Sequence, residues 1–284
     1  MNSDMNAALA PASLADRPKR VLVIPEFNEE RTIIDVLERA YPFADLVIVI
    51  NDGSTDGSGD LVRRWALGHP GVVLLTLTQN QGMSGALLVG FTFVLQLTEQ
   101  GLLDKKDVVI NIDADGQHLP EEIPEALVAM RASEADVLLG KRDLQGYPWF
   151  KRLGNWGLSL WASLLTGYRY HDVECGFRLI RVEVLADMVP FFAGRRYGCA
   201  QEIGVITARR HWRINNRFQT RIAYYRPGAR VRDGLTNLWM GLAAFVRVVL
   251  DRPKSLHPTS LPPGLVIVET PDSRVTLTPW AASY

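Results

Sequence analysis

Val21-Leu22-Val23-Ile24, Leu46 to Ile50, Val72 to Leu75, Val108 to Ile112 and Val137 to Leu139 are short runs, apolar throughout except at Asn111. Runs of this length, rich in Val and Ile, suit strands buried on both faces. Helix-like segments separate them at about 29–40, 56–67, 83–99 and 120–132. The second opens near Ser54-Thr55-Asp56, whose short polar side chains cap a helix start. The fourth opens on Pro120-Glu121-Glu122, a proline and two acids suited to a first turn. This alternation predicts an α/β fold, a mostly parallel sheet flanked by helices.

Ligands of such sheets bind beyond the carboxyl ends of the strands. The first run is followed by Pro25-Glu26-Phe27-Asn28-Glu29, the second by Asn51-Asp52-Gly53-Ser54, and the fourth by Asp113-Ala114-Asp115-Gly116-Gln117. Polar and acidic residues therefore gather at one edge, the layout of a nucleotide and metal site. On an extended segment, positions two apart point the same way, so Asp113 and Asp115 can face one cation. A hard divalent ion prefers a few carboxylates plus phosphate oxygens and water, and Gln117 can add an amide oxygen. The plainer reading is that these acids cap the helix after Pro120. Acids after two neighbouring strands favour the metal.

Asp52 sits in a glycine-containing turn and can accept from a nucleobase N–H; alone, an ordinary Asp-Gly turn explains it as well. Asn80-Gln81-Gly82-Met83-Ser84-Gly85-Ala86 enters a helix, where backbone N–H groups can hold phosphate. It is not a dinucleotide fingerprint. Basic residues form a third group: Lys141-Arg142, Lys151-Arg152 and Arg226-Pro227-Gly228-Ala229-Arg230-Val231-Arg232. Arginine forks suit phosphate oxygens, and Arg142, Arg226 and Arg230 are the candidates for that work. His118 abuts the acidic motif and reads as a loop-orienting residue.

The second half is less regular. Leu153 to Thr166 and Cys199 to His211 read as helices, Cys175 to Ile180 as a strand, and Trp212 to Tyr225 as extended chain. Leu265 to Glu269 and Val275 to Thr278 flank Pro271-Asp272-Ser273 and read as a hairpin. Residues 1–19 read as a flexible arm without a signal-peptide core, 20–235 as the main domain, and 236–284 as a helix with a proline-rich tail. Leu235 to Leu250 is too short for a confident membrane span; with Trp239, Phe245 and Arg247 it suits an interfacial amphipathic helix or a core helix equally well.

Lys plus Arg and Asp plus Glu each number 31 in the 284 residues, so the formal charge is zero. A general nucleic-acid binder carries a basic excess, and none is expected as a partner here. Two scattered cysteines, Cys175 and Cys199, fit neither a disulfide framework nor a zinc site, and a reducing, cytosolic setting follows.

Taken in order, Val23-Ile24-Pro25-Glu26-Phe27-Asn28-Glu29, Asn51-Asp52-Gly53-Ser54-Thr55-Asp56-Gly57-Ser58 and Asp113-Ala114-Asp115-Gly116-Gln117-His118 resemble glycosyltransferase family 2. Within it the likeness is to dolichyl-phosphate mannose synthases and related polyprenyl-phosphate sugar transferases. Asn80-Gln81-Gly82, Gly140-Lys141-Arg142, Asp172 to Arg178, Gln201-Glu202 and Arg226-Pro227-Gly228 follow in the expected order, and the likeness covers about residues 20 to 235. It departs at Asn51, where an acid is common, and in the loop after Arg226.

The resemblance implies a GT-A-type fold and inversion at the sugar carbon. It implies that Pro25, Phe27, Glu29 and Asp52 line the nucleotide pocket, and that Asp113, Ala114, Asp115 and Gln117 meet the donor. Asp113, Asp115 and Gln117 match metal positions for Mg²⁺ or Mn²⁺. Arg142 matches a basic residue near donor and acceptor phosphates, and Arg226 and Arg230 match a late loop over the donor. The expected reaction moves mannose or glucose from a GDP- or UDP-sugar to a polyprenyl phosphate, at the cytoplasmic face of a membrane. Asp115, Arg142 and Glu202 are the catalytic candidates. A phosphate acceptor is already anionic and needs no strong base; a sugar or protein hydroxyl needs one, and Glu202 is the candidate. A non-catalytic nucleotide-sugar binder is the other rival.

Overall fold

A computed structural model describes residues 17–195, 198–221, 231–253 and 266–269, with backbone alone for 231–233 and 266–269. The first half alternates as the apolar runs predict: β1 (Arg20–Glu26), α1 (Ile33–Ala40), β2 (Leu46–Asn51), α2 (Ser58–Ala66), β3 (Val72–Leu77), α3 (Met83–Glu99), β4 (Val108–Asn111), α4 (Ile123–Ala132) and β5 (Val137–Leu139). The second half adds β6 (Lys141–Arg142), α5 (Trp149–Thr166), β7 (Arg178–Arg181), α6 (Val182–Met188), α7 (Cys199–Arg209), β8 (Ile214–Asn215), β9 (Gln219–Thr220), α8 (Val231–Val249) and β10 (Val266–Glu269).

The main sheet runs β10-β3-β2-β1-β4-β7-β5-β8, and β6 pairs with β9 in a small second sheet. β3, β2, β1 and β4 are mutually parallel; β7 lies antiparallel between β4 and β5, and β10 is antiparallel to β3. Successive strand residues point to opposite faces. Val21, Val23, Ile48 and Ile50 pack on one face with α3, α6 and α7. Leu22, Ile24, Val47 and Val49 pack on the other with α1, α2 and α4. α3 is buried almost all round. Gly90 lets it approach the sheet: a Cβ there would lie 2.9 Å from Ile50 and 3.0 Å from Val23.

Helix starts differ from the sequence expectation. Residues 29–32 form a turn before α1, and residues 120–122 form a tighter 3₁₀ turn before α4. α8 runs through residue 235, so the expected boundary there cuts a continuous helix that packs on α5 and α7. The first half of the expected tail hairpin is β10, paired with β3; its expected partner, 275–278, lies outside the described residues. So does most of the expected arm, but Arg17 holds Asp45 at 2.6 Å. Among the described residues, no helix is long and apolar enough to cross a membrane.

Candidate active site

Three loops leave the carboxyl ends of β1, β2 and β4, and the first two are sewn together. Asn28 adopts a left-handed backbone, φ 56°, which asparagine tolerates better than most residues. Its N–H donates to Ser54 Oγ at 3.0 Å, and its Oδ1 accepts from Thr55 N–H at 2.8 Å. Glu30 N–H donates to Asp56. Phe27 is therefore displayed on a fixed turn, 43% exposed, while Pro25 stays inside β1.

Asp52 is buried, and its two oxygens accept from the N–H groups of Gln81 at 2.7 Å and Gly82 at 2.8 Å. These are the donors expected to hold phosphate at the start of α3; the structure commits them to Asp52 instead. Burial pushes the Asp52 carboxyl up, and the two backbone donors oppose that shift. Gly53, at φ +70°, allows the close approach of the two loops.

Asp113 and Asp115 lie beyond β4, which ends at Asn111; Asp113 is in the link after the strand and Asp115 in the turn that follows, so neither is on the strand itself. Both carboxyls are pushed up, chiefly by burial. Arg178 and Arg142 oppose the shift at Asp113, while Glu29 adds to it. The charge of Asp113 is the next cause at Asp115, so the pair shares one electrostatic site. Gln117 donates to Asp115 through its backbone at 3.0 Å and its amide at 2.6 Å. Buried Ala114 packs in the core behind them.

Gly176 backs the first acid. A Cβ there would lie 2.2 Å from Asp113 Oδ2, so only glycine leaves the carboxylate its place. His118 lies below the acids, with Nε2 3.8 Å from Asp113 Oδ2. Burial, helped by Arg142, pushes its pKa down to about 4, so it is neutral at pH 7. Among the described residues, no cluster of three or more His, Cys, Asp or Glu surrounds a common point. Two carboxylates and an amide nevertheless fit an ion such as Mg²⁺, which keeps waters and shares phosphate oxygens.

Arg142, on β6, faces this group. Asp172 takes its Nε at 2.8 Å and its Nη2 at 2.9 Å, and Asn155 Oδ1 accepts from Nη2 at 3.0 Å. Asp172 also accepts from the Arg142 backbone N–H. Burial works against both charges, but the pairing outweighs it: Arg142 is pushed up and Asp172 down. The fork is held from one side, and among the described residues no hydrogen bond engages Nη1.

The structure does not present Glu202 as a base. Its side chain is fully buried, paired with Arg247 of α8, and accepts from Ala193 N–H at 2.8 Å. A general base must reach the acceptor proton, and this carboxylate is spent on joining α7 to α8. Arg226 and Arg230 lie outside the described residues.

Sequence reasoning missed four contributors. Asp172 and Asn155 hold Arg142. Arg178, buried on β7, bonds Asn111 at 3.2 Å and acts on Asp113. Glu174 accepts from Gln201 at 2.8 Å and Asn237 at 2.9 Å, tying the 172–178 loop to α7 and α8. The signal was present, since Asp172 to Arg178 is part of the family resemblance, but nothing local names a partner 30 residues away.

An α/β sheet whose carboxyl edge gathers two acids beside a clamped arginine is the framework of a glycosyltransferase. The chain belongs to glycosyl transferase family 2, whose profile matches residues 21–189. It is similar to an undecaprenyl-phosphate mannosyltransferase of Micrococcus luteus, 33% identical over 205 residues, covering 69% of this chain and 80% of the relative. It is also similar to a polyprenol monophosphomannose synthase of Mycolicibacterium smegmatis, 30% identical over 190 residues, covering 64% and 69%. Among solved structures, glucosyl-3-phosphoglycerate synthase of Mycobacterium tuberculosis, in complex with Mn²⁺ and UDP-glucose, shares the fold. Its TM-score is 0.55 at 19% identity, covering 85% of this chain and 82% of that one. The expected GT-A-type α/β fold is thus borne out, as is the expected transferase class.

Proposed function

We propose that this enzyme moves a hexose from a nucleoside diphosphate sugar to a polyprenyl phosphate. The observation that carries the reading is Arg142. Its guanidinium is clamped by Asp172 beside Asp113, with Nη1 unspent, as a phosphate-binding fork must be. The relatives from Micrococcus luteus and Mycolicibacterium smegmatis carry polyprenyl-phosphate and polyprenol names, which supports a lipid phosphate over a hydroxyl acceptor. The burial of Glu202 supports the same choice, because a phosphate attacks without a base.

In this reading Asp113, Asp115 and Gln117 hold Mg²⁺ or Mn²⁺, which offsets charge on the departing diphosphate. The Mn²⁺ complex of the mycobacterial fold relative supports a divalent ion. Pro25, Phe27, Glu29 and Asp52 line the nucleotide pocket, with Asp52 buttressed by Gln81 and Gly82. The resemblance gives Arg226 and Arg230 to the donor phosphates. The acceptor phosphate oxygen attacks the anomeric carbon as its bond to the donor diphosphate breaks, inverting that carbon. Arg142 orients the attacking phosphate. The enzyme works peripherally, at the cytoplasmic face of a membrane.

The test is a transfer assay with labelled GDP-mannose or UDP-glucose, polyprenyl phosphate, and Mg²⁺ or Mn²⁺. A labelled lipid product that needs the metal and falls by about 10²-fold or more in Asp115→Ala is expected. Metal-dependent nucleotide binding without lipid product from any donor would overturn the acceptor.

A further inference from the structure

Among the described residues, eleven of the fourteen exposed large hydrophobic side chains fall on α5, on α8 or on Leu250 just after it. They are ordered. Leu153, Trp156, Leu160 and Leu164 recur at helical spacing along one side of α5. Leu235 and Trp239 begin a matching stripe on α8. The two helices pack directly: Trp161 Nε1 donates to Leu238 O at 3.0 Å. Trp156 and Trp239 are 61% and 67% exposed, so these rings cover no core. An apolar surface of this extent on one side of a chain marks a docking site.

Charge identifies the occupant. α5 contains Lys151 and Arg152 in its first turn and no acid anywhere along its length. On α8 the only charge after residue 233 is Arg247, and that is turned inward to Glu202. The stripe is thus apolar and rich in indole, with a basic end on α5 and its acids only in the flanking segments, at Asp143, Asp233 and Asp251. That is the chemistry of a helix lying in an anionic bilayer interface. The inner side of α5 fixes its place relative to the site. Asn155 accepts from Arg142, and Ser159 Oγ accepts from Val173 N–H in the loop that carries Asp172. The face therefore borders the arginine that is read as meeting the lipid phosphate.

We propose that the outer faces of α5 and α8 together dock on a bilayer bearing anionic headgroups. The sequence expectation involved the 235–250 segment alone; α5 supplies the larger and the basic half. The inference rests on the lipid-phosphate reading above for its purpose, but it is measured separately from transfer.

The experiment is flotation of the full chain with phosphatidylcholine vesicles, with and without phosphatidylglycerol. Wild type floats with the anionic vesicles and less with the neutral ones. The double variant Trp156→Ser/Trp239→Ser loses binding by about tenfold or more. Lys151→Gln/Arg152→Gln loses the preference for phosphatidylglycerol. Both keep wild-type thermal midpoints. The tryptophan variant keeps wild-type transfer to a short, water-soluble polyprenyl phosphate and loses it on long-chain acceptor in vesicles. Flotation without any transfer supports the docking face and counts against the acceptor reading alone. Wild type that stays with the solvent, or variants that float as well as wild type, overturn the docking. So does a stable wild-type dimer in analytical ultracentrifugation that the tryptophan variant turns into monomer, since the face is then a contact between two copies.

Discussion

Asp172 holds Arg142 at three points, through Nε at 2.8 Å, Nη2 at 2.9 Å and the backbone N–H at 3.0 Å. The Asp172 side chain is essentially buried, while the Arg142 side chain keeps 19% of its surface. In the proposed reading, that exposed part meets the acceptor phosphate. Arg142→Lys keeps the charge but cannot span Asp172 and Asn155 together. Asp172→Asn keeps the shape and frees the fork. Each is expected to lower kcat/KM for the acceptor by about 10²-fold, because positioning is lost. Removing the partner of a buried ion also costs about 3–5 kcal/mol of stability in Asp172→Asn. Steady-state kinetics and urea unfolding read the two effects. Wild-type kcat/KM in both variants would remove Arg142 from the site.

Gly176 owes its identity to Asp113 and not to its own backbone, which has no positive φ. An added methyl would lie 2.2 Å from one carboxylate oxygen. Gly176→Ala is therefore expected to fold, to bind nucleotide weakly in the presence of metal, and to transfer about 10²-fold or more slowly. Calorimetric titration of Mn²⁺ with the nucleoside diphosphate checks it. Unchanged metal dependence would mean that Asp113 can shift without consequence.

The first half of this fold was legible because its strands are buried on both faces. Their Val and Ile runs are interrupted only at Asn111, and the first, second and fourth end on residues that form the site. Asp52, Asp113 and Asp115 could be found that way. The role of Asp52 was less visible, since its cradle comes from Gln81 and Gly82 on another strand's loop. The second half was harder for the same reason. Arg142, Asn155 and Asp172 meet across the chain, and no periodicity announces that. Glu202 entered through the family resemblance, as the base a hydroxyl acceptor would need, and nothing local announces Arg247, 45 residues on, against it.

That pair supplies a direct contrast between structure and chemistry. Glu202 is fully buried, and Arg247 also donates to Phe191 O at 2.8 Å. Glu202→Gln strands the guanidinium in the interior and is expected to cost about 3–5 kcal/mol of stability. The folded fraction at low temperature is expected to transfer within a few-fold of wild type. A general base would behave the other way, with kcat reduced about 10²–10⁴-fold and stability kept. Thermal unfolding beside kcat at low temperature separates the two.

Glu26 makes the stability of the chain depend on pH. It ends β1, pairs in register with Asn51, and is 2% exposed. Ser54 Oγ donates to Oε2 at 3.0 Å, and Oε1 has no partner. Burial pushes its pKa up from 4.5 to about 7, against the hydrogen bonds from Ser54 and Ser58. The folded chain keeps this proton where the unfolded chain has released it. A raised acid contributes stability that is complete below the unfolded value and is lost as pH rises through the folded one. From about pH 5 to about pH 8, wild type is expected to lose about 2.5 kcal/mol from this carboxyl alone. Glu26→Gln carries no proton to lose, so its urea midpoint is expected to change less over the same interval and to exceed that of wild type at the alkaline end. Parallel pH profiles for the two proteins would mean that Glu26 ionises in the folded chain as it does in water, and that the pocket beneath Ser54 is wetter than its burial implies.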